Sequence, residues 1–332
     1  MKILIVNMFP HISAIFKYGF YLKKYLSKKN KVEFLDLWKD KQYHSDVKRA
    51  IALMKGIKLP DCDVLILVAP LLCNSLPVSN AKLKITIFHD MYALNCGSIP
   101  IQALAYTTYK NLKHSDLILP VSNFSKQEII NTYGLKDKLH MIHGGIDHTI
   151  FKPLNIKREK NTFLHVGRDD ERKNFRFVLE LIKNTNGKLI KVGSVSKDDM
   201  KYIEDNNLNV KIQSNVSDKE LCKLYNKVSM LLFPSKNEGL GFPIIESHKC
   251  KCPVISANNS GLYESSIKEN LTDLNQDLWI KKINEIQNNK KYRNNIIKKG
   301  LSHSKKFDWK LYTKHVDKLI VRCVKGNVFK SR

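Results

Sequence analysis

The sequence lacks any hydrophobic run long enough to span a bilayer. Its opening residues, MKILIVNMFP, hold a short apolar run that ends at Pro10, too brief for the hydrophobic core of a secretory signal. Seven cysteines, an odd number scattered along 332 residues, argue against a disulfide framework and favour reduced thiols. We therefore expect a globular cytoplasmic chain, with peripheral attachment at the inner face of a membrane as a further option.

Acidic residues are also scarce, because 31 Asp and Glu stand against 57 Lys and Arg, a formal net charge of +26. Residues 281–332 alone hold 16 Lys and Arg but three acids. Such a surface suits phosphate groups on nucleic acid, on anionic lipid or on a nucleotide, and solubility alone is the alternative. No helix-turn-helix, zinc-finger or RNP pattern accompanies the basic residues, so we expect no specific nucleic acid. A basic protein that binds nucleic acid or a membrane surface is the second hypothesis.

A second basic stretch, AIFKYGFYLKKYLSKKNK at residues 14–31, combines lysines with aromatic residues. Phe16, Phe20, Tyr21 and Tyr25 lie among those lysines, and this composition is typical of a helix at a membrane interface. The stretch therefore indicates an anionic membrane surface as a partner. Packing of the aromatic rings in the protein core is the alternative.

Short apolar runs alternate with helical patterns along the chain, which predicts parallel sheets flanked by helices. The pattern runs twice, and the charged connector NIKREKN at residues 155–161 separates the two halves. We predict an α/β fold of two Rossmann-like, doubly wound domains that face a central cleft. The domains are expected at 1–154 and 155–304, and 305–332 is expected to form a C-terminal helix with a basic tail.

The stretch FPSKNEGLGFPIIE, residues 233–246, predicts an anion site. VSMLLFPS reads as a buried strand, so the next residues form the loop at its carboxyl end, and Pro243 suits the first position of a helix. Free N–H groups from about Leu240 to Ile244, with the helix dipole, would bind a phosphate. Glu238 and Glu246 could then accept hydrogen bonds from sugar or ribose hydroxyls on either side. The alternative is a capping glutamate plus an ordinary helix-surface glutamate.

Several segments carry motifs in a characteristic order: DLILPVSNFSKQEII with LHMIHGGIDHTIFKP, FLHVGRDDERKNFRFVLELI, FPSKNEGLGFPIIESHKCKCPVISANNSGLYE and SKKFDWKLYTKHVDKLI. They resemble, in turn, the end of the first domain, the G-R-x-x-x-x-K-N segment, the E-x7-E signature and the closing F-x-W helix of the retaining GT-B glycosyltransferases. Among these enzymes, the motifs resemble in particular the GT4-like glycosyltransferase group 1 family. It implies the GT-B fold, with the C-terminal helix crossing back to the first domain.

The resemblance also implies an activity and a site. The expected reaction is metal-independent transfer of a sugar, with retention, from a UDP-, GDP- or ADP-sugar to an unknown acceptor, either lipid-linked or a glycan. No cofactor and no metal are expected. Arg168 and Lys173 would hold the diphosphate, Glu246 the ribose hydroxyls and Glu238 the transferred sugar. Backbone N–H groups are expected from Gly239, Leu240, Gly241 and Phe242.

Residues of the first domain complete the predicted site. His89, in IFHD, ends a strand and would bind the sugar hydroxyls or stabilise charge, and Asp90 would orient it. Ser122 and Asn123 end another strand and rank below these two. Arg172 is interpreted as a bystander beside Lys173.

The chain departs from the family pattern at two places. The loop NMFPHISAIFKYG lacks the glycine pair expected after the first strand, which leaves the acceptor open. Lys251 stands where a glycine usually ends the E-x7-E helix, so a left-handed residue there would cost about 1 kcal/mol. Cys250 and Cys252 are interpreted as structural thiols. DCD at 61–63 has the D-x-D form of a metal site but precedes its strand, at the wrong end of the sheet.

Overall fold

The computed structural model describes residues 1–11, 13–43, 45–95 and 99–326. The chain divides into two compact units, one formed by Met1–Gly145 with the residues from Trp309 onward, the other by Ile146–Asp308. Each unit has one parallel sheet with helices between its strands, so the predicted alternation of strands and helices is confirmed.

The first unit has a parallel sheet of β1 (Lys2–Asn7), β2 (Lys31–Asp36), β3 (Val64–Leu67), β4 (Leu83–Phe88) and β5 (Leu117–Pro120). The strand order is β2-β1-β3-β4-β5, so the winding reverses between β1 and β3. Every residue of β3 and β5 is buried, as expected for parallel strands covered on both faces.

The helices of residues 1–145 are α1 (Ala14–Leu26), α2 (Asp46–Lys55), α3 (Tyr92–Asn95), α4 (Ile99–Tyr109) and α5 (Asn123–Tyr133). Serine side chains cap three of them. Ser13, Ser45 and Ser122 each accept the backbone N–H three residues further on, which satisfies one of the unpaired donors of the first turn.

The second unit has a parallel sheet of β6 (Thr162–Val166), β7 (Lys188–Val192), β8 (Val210–Gln213), β9 (Met230–Phe233), β10 (Val254–Ala257) and β11 (Leu271–Thr272). The order is β11-β10-β9-β6-β7-β8, the doubly wound arrangement in which the winding reverses between β6 and β9. The sequence analysis did not predict β11, because its two residues are too short for a periodic pattern.

The helices of the second unit are α6 (Phe175–Thr185), α7 (Lys197–Asp205), α8 (Asp218–Lys227), α9 (Phe242–Lys249), α10 (Leu262–Ser265), α11 (Gln276–Asn288) and α12 (Lys290–Ser304). A core of buried apolar side chains joins α6, α11 and the sheet, with Trp279 fully buried in it. Gly300 of α12 lies against His248 of α9, where a Cβ would come within 2.4 Å of the imidazole Nδ1.

The second unit begins before the predicted boundary at residue 155. Ile146 N–H donates to Phe307 O at 3.2 Å, and Leu154 N–H donates to Asn226 Oδ1 at 2.8 Å. The connector predicted as a linker is also held to this unit, because Arg158 donates to the carbonyls of Tyr225, Val228 and Cys250. These hydrogen bonds join residues far apart in the sequence, so the local composition that suggested a linker does not reveal them.

The closing helix α13 (Trp309–Lys325) belongs to the first unit and packs against α1. Tyr18 and Tyr21 of α1 are buried there, with ring centroids 4.9 and 5.0 Å from Trp309. These contacts place two rings of the stretch 14–31 in the core, while Phe20 stays exposed. Residues 327–332 of the predicted basic tail lie outside the described part of the chain. Within the described ranges, every helix is too short or too polar to cross a membrane.

Candidate functional site

The loops that follow β6 and β9 meet where the winding of the second sheet reverses. In doubly wound sheets, the helices on either side of this reversal leave in opposite directions and open a crevice at the carboxyl ends of the strands. Residues 167–174 follow β6 and residues 234–241 follow β9. Lys236 N–H donates to Arg172 O at 2.7 Å, and Asn174 Nδ2 donates to Pro234 O at 3.3 Å, so the two loops are bonded together.

Glu238 lies at the centre of this meeting point and is buried. Its Oε1 accepts a hydrogen bond from Lys173 Nζ, and its Oε2 lies 3.7 Å from an Arg172 guanidinium nitrogen. Burial by itself would raise the pKa of Glu238, but Lys173 and Arg172 outweigh it and hold that pKa below the usual range. Glu238 is therefore an ionised carboxylate between two cations.

Local backbone chemistry places Lys173 against that carboxylate. Asp170 accepts the Arg172 N–H at 3.1 Å and starts a 3-10 turn over Glu171–Lys173, and Asn174 ends the turn in the left-handed region with φ 53°. Gly167 leaves room for the lysine stem, because a Cβ at that position would come within 3.0 Å of Lys173 Cγ. The spacing G-R-x-x-x-x-K-N thus encodes a short turn that aims Lys173 at Glu238.

The two arginines of this segment lie in different surroundings. Arg168, predicted to hold the diphosphate, has a side chain 79% exposed that lies 3.9 Å from Asp170. Arg172, interpreted as a bystander, is 16% exposed, donates from Nε to Asp170 at 3.1 Å and contacts Glu238. The contact of Arg172 with Glu238 was not predicted, because neighbouring positions of a loop give no periodic signal of which side chain turns inward. The role of Arg168 towards the diphosphate remains a prediction.

The loop after β10 holds the backbone of Glu238 by two hydrogen bonds. Glu238 N–H donates to Ser260 Oγ at 3.0 Å, and Gly261 N–H donates to Glu238 O at 2.9 Å. Position 261 has to be glycine, since a Cβ there would lie 2.1 Å from Gly239 O. The Ser-Gly pair is visible in the sequence as a turn signal, but the sequence analysis gave it no role in the site.

Helix α9 begins directly after the loop that carries Glu238. Gly241, with φ 91°, precedes the first helical residue, Phe242, so Pro243 is second in the helix and not first as predicted. Gly239, Leu240 and Gly241 are buried. Ile244 N–H donates to Gly241 O at 3.1 Å, which removes it from the predicted set of free donors.

Glu246 is 4% exposed, so the alternative of an ordinary helix-surface glutamate is wrong. Its Oε2 accepts a hydrogen bond from Tyr225 Oη of α8 at 3.0 Å. Burial first, and the carboxylate next, raise the pKa of Tyr225 well above its usual value, which keeps the phenol a donor. The role of Glu246 towards ribose remains a prediction.

The carboxyl end of α9 adopts the left-handed turn anticipated at Lys251. Lys251 has φ 56°, its N–H donates to His248 O at 3.1 Å, and Cys252 N–H donates to Ser247 O at 2.9 Å. This is the Schellman pattern, in which a glycine is usual because it has no Cβ to clash. The helix that carries Glu246 therefore ends on a strained lysine.

Lys191 of β7 lies beneath the loop that follows β6, and the sequence analysis did not predict a role for it. It is fully buried, donates from Nζ to Gly167 O at 2.5 Å and lies 4.8 Å from the ring centroid of Phe175. Burial, reinforced by the charge of Lys173, lowers the pKa of Lys191 to about 8. A lysine within an otherwise apolar strand is the sequence signal from which this buried cation could have been predicted.

The residues predicted in the first unit lie at the carboxyl ends of β4 and β5. His89 Nε2 lies 2.8 Å from Val68 O, and burial lowers the pKa of this imidazole. Asp90 accepts the Tyr92 N–H at 3.0 Å. Burial, then the charge of Asp90, raises the pKa of Glu128 to about 7, and the sequence analysis missed this carboxyl.

Ser122 and Asn123 have structural positions at the start of α5. The Ser122 side chain is fully buried and caps the helix by accepting the Ser125 N–H at 3.0 Å. Asn123 is the first residue of the helix. Ser125 Oγ in turn donates to His89 O, so the cap is tied to the strand end that carries the histidine.

The loop after β1, where the family usually has a glycine pair, is held by hydrogen bonds between side chains. Asn7 Nδ2 donates to Phe9 O and to Asp36 Oδ1, each at 2.9 Å, and His11 Nε2 lies 2.6 Å from Asp36 Oδ2. A side-chain network therefore shapes this loop at the reversal point of the first sheet.

The described residues contain no group of three or more His, Cys, Asp or Glu side chains placed to hold a metal ion. Asp63 of the D-x-D form precedes β3, accepts the Lys2 N–H at 2.8 Å and lies 3.2 Å from Lys82 Nζ. The cysteines of the described ranges are free thiols, with Cys222 and Cys250 Sγ atoms 3.8 Å apart. Cys96 lies outside those ranges.

Known proteins resemble this chain in fold, and a protein-family model matches part of its sequence. The crystal structure of Anabaena HepE in complex with UDP and glucose matches with a TM-score of 0.72 at 14% identity, over 97% of this chain and 99% of HepE. The fold is thus that of the GT-B glycosyltransferases, two Rossmann-like α/β domains, and the predicted fold class is confirmed. Residues 146–303 match the family model described as glycosyl transferases group 1.

Curated relatives agree with this family. An uncharacterized glycosyltransferase of Methanocaldococcus jannaschii is 30% identical over 208 residues, 59% of this chain and 56% of the relative. The capsular polysaccharide biosynthesis glycosyltransferase CapH of Staphylococcus aureus is 33% identical over 175 residues, 49% and 46% of the two chains. The chain spans about half the length of these relatives. Over residues 146–303 the chain is similar to the glycosyl transferases group 1 family, which confirms the resemblance inferred from the motifs.

Proposed function

We propose that this chain transfers a sugar, with retention of configuration and without a metal ion, from a nucleoside diphosphate sugar to an acceptor. The observation that carries the proposal is the buried Glu238 carboxylate held between Lys173 and Arg172 where the second sheet reverses its winding. A fixed cluster of cations at such a crevice suits a diphosphate, and the carboxylate suits the hydroxyl donors of a sugar.

The cations have a direct role in the proposed reaction. As the bond between the sugar and the diphosphate breaks, negative charge grows on the departing phosphate oxygens. Lys173 and Arg172 are held in place by Glu238 and Asp170, so they need not reorganise when that charge appears. They would stabilise the transition state more than the bound donor, which is what raises turnover.

Glu238 and Glu246 would bind the hydroxyl groups of the donor. Glu238 would accept hydrogen bonds from the transferred sugar, and Glu246, oriented by Tyr225, would accept those of the ribose. For retention, the departing phosphate would take the proton of the incoming acceptor hydroxyl on the face that it leaves. The contribution of His89 to sugar binding stays a prediction.

The base of the donor has a candidate position in the same unit. A cavity of about 490 Å³ lies at the carboxyl end of β8 and is lined by residues 213–216 with Glu220, Lys223 and Leu224. Since β6, β7 and β8 are parallel neighbours, this cavity lies on the sheet edge that also carries Arg168 and Lys173. HepE was solved with UDP, so a UDP-sugar is the first donor to test, followed by GDP- and ADP-sugars.

Calorimetric titration with UDP, GDP and ADP in the presence of EDTA tests the donor class. One nucleotide should bind with much higher affinity than the other two, and EDTA should leave that affinity unchanged. The anomeric configuration of the sugar released from an α-linked donor, followed by NMR, tests retention. A strict need for Mn²⁺ or Mg²⁺, or release of the β-anomer, would overturn the corresponding part of the proposal.

A further inference from the structure

The first unit has an exposed apolar surface to which the proposed reaction gives no role. We call it the α2–α4 surface, because it consists of outward side chains from two helices that pack against each other. Its members and their exposed fractions are Ile51 47%, Met54 54%, Ile99 79%, Ile101 45% and Tyr106 69%.

Helix α4 is apolar on both of its sides. Its inner side buries Leu104, Ala105 and Tyr109, while its outer side exposes Ile99 and Tyr106, and none of its 11 residues is charged. A helix with large apolar side chains on its outer as well as its inner side is ordinarily covered on both sides. Exposed apolar side chains grouped in this way mark a surface that meets another body.

Positive charge borders the surface. Lys48 and Lys55 are exposed on α2, and Lys110, also exposed, places its Nζ 6.0 Å from the ring centroid of Tyr106. Residues 91–115 contain no Asp or Glu. The acid of α2, Asp46, is paired with Arg49 at 2.9 Å. The border is therefore cationic around an apolar centre.

We propose that the α2–α4 surface docks the protein on a bilayer that contains anionic lipid. The isoleucine and methionine side chains would enter the boundary between headgroups and acyl chains, and the lysines would meet the phosphates. Tyr106 suits that boundary because its ring is apolar and its hydroxyl is polar. The charge around the surface is what selects an anionic bilayer as its occupant.

If the proposed function holds, docking through this surface would also bring the protein close to its acceptor. Helix α4 follows β4, at whose carboxyl end His89 lies, and a helix that follows a strand in a parallel sheet runs back along it. The first turn of α4, with Ile99, is therefore near the carboxyl edge of the sheet. Docking there would present that edge to an acceptor carried on a lipid.

Co-sedimentation with vesicles tests the inference. The wild-type chain should bind phosphatidylcholine vesicles that contain phosphatidylglycerol, should bind pure phosphatidylcholine weakly, and should be released by salt. The double variant Ile99→Ser with Tyr106→Ser should bind the anionic vesicles about tenfold less tightly or worse. Leu278→Ser is the matched control, because Leu278 is 46% exposed on α11, where Lys281 and Lys282 also lie, and it should bind as wild type.

Three results would overturn the inference: no binding of the wild type to anionic vesicles, equal binding to neutral vesicles, or full binding by the double variant. A dimer in analytical ultracentrifugation that this variant dissociates would instead assign the surface to a second copy of the chain. Titration with UDP in the same variants separates this inference from the proposed function. Intact nucleotide binding without vesicle binding refutes only the docking surface, and failure of the wild type to bind any of UDP, GDP and ADP refutes the proposed donor.

Discussion

Replacement of Lys173 by alanine is the sharpest test of the proposed site. The Lys173 side chain is 13% exposed and its Nζ donates to Glu238, whose other oxygen lies 3.7 Å from Arg172. The substitution leaves a buried carboxylate with one cation instead of two. Loss of one partner of a buried pair costs about 3–5 kcal/mol, and we expect about 2–3 kcal/mol here because Arg172 remains.

The effect on turnover should be separable from this loss of stability. A fixed cation beside the departing diphosphate is worth about 10²-fold in kcat, or about 2.7 kcal/mol, with a smaller change in KM. The double variant Lys173→Ala with Glu238→Gln also removes the buried carboxylate charge that lost one of its two cations, so it should regain most of the lost stability and none of the turnover.

Steady-state transfer or donor hydrolysis, measured with thermal unfolding of the same samples, provides the assay. Lys183→Ala is the control, because Lys183 is an exposed lysine of α6 in the same unit, and it should match wild type in both measurements. Arg172 cannot serve as a neutral control, since it contacts Glu238. Full kcat in folded Lys173→Ala, or an equal loss in Lys183→Ala, would refute the assignment of the diphosphate to this loop.

Three further predictions concern the same unit. Glu246→Ala should weaken nucleotide binding by about 1–3 kcal/mol in calorimetry, and Tyr225→Phe by less; an unchanged Kd would remove the ribose role. Lys251→Gly should raise the free energy of unfolding by about 1 kcal/mol in urea, because the φ of 56° then costs nothing, and a gain in Lys251→Ala would contradict this reason. Burial lowers the pKa of Lys191 from 10.5 to about 8, so between these values the unfolded chain binds more protons and stability rises with pH. The stability of the wild type relative to Lys191→Met should therefore grow by up to about 3 kcal/mol from about pH 7 to about pH 10, and a flat difference would contradict it.

The sequence by itself was sufficient for the strands, the fold class and part of the site. Apolar runs and turn residues are local signals, so the alternation of strands and helices in two halves was predicted, and β9 lies in the run VSMLLFPS that was predicted as a buried strand. The motif spacing placed Lys173 and Glu238 in loops at strand ends, and the structure brings the two side chains together. The left-handed backbone at Lys251 was also anticipated, because a glycine is the usual residue where a helix ends in that way.

Only the tertiary structure decided which charged groups share that site. Lys173 and Glu238 are 65 positions apart, and their contact depends on the order in which β6 and β9 are placed in the sheet. Arg172 turns inward while Arg168 is exposed, and Lys191 is buried beneath the loop that follows β6. The burial and the pKa of a charged side chain depend on neighbours brought together by packing across the whole unit, whereas the sequence reports mainly the neighbours along the chain.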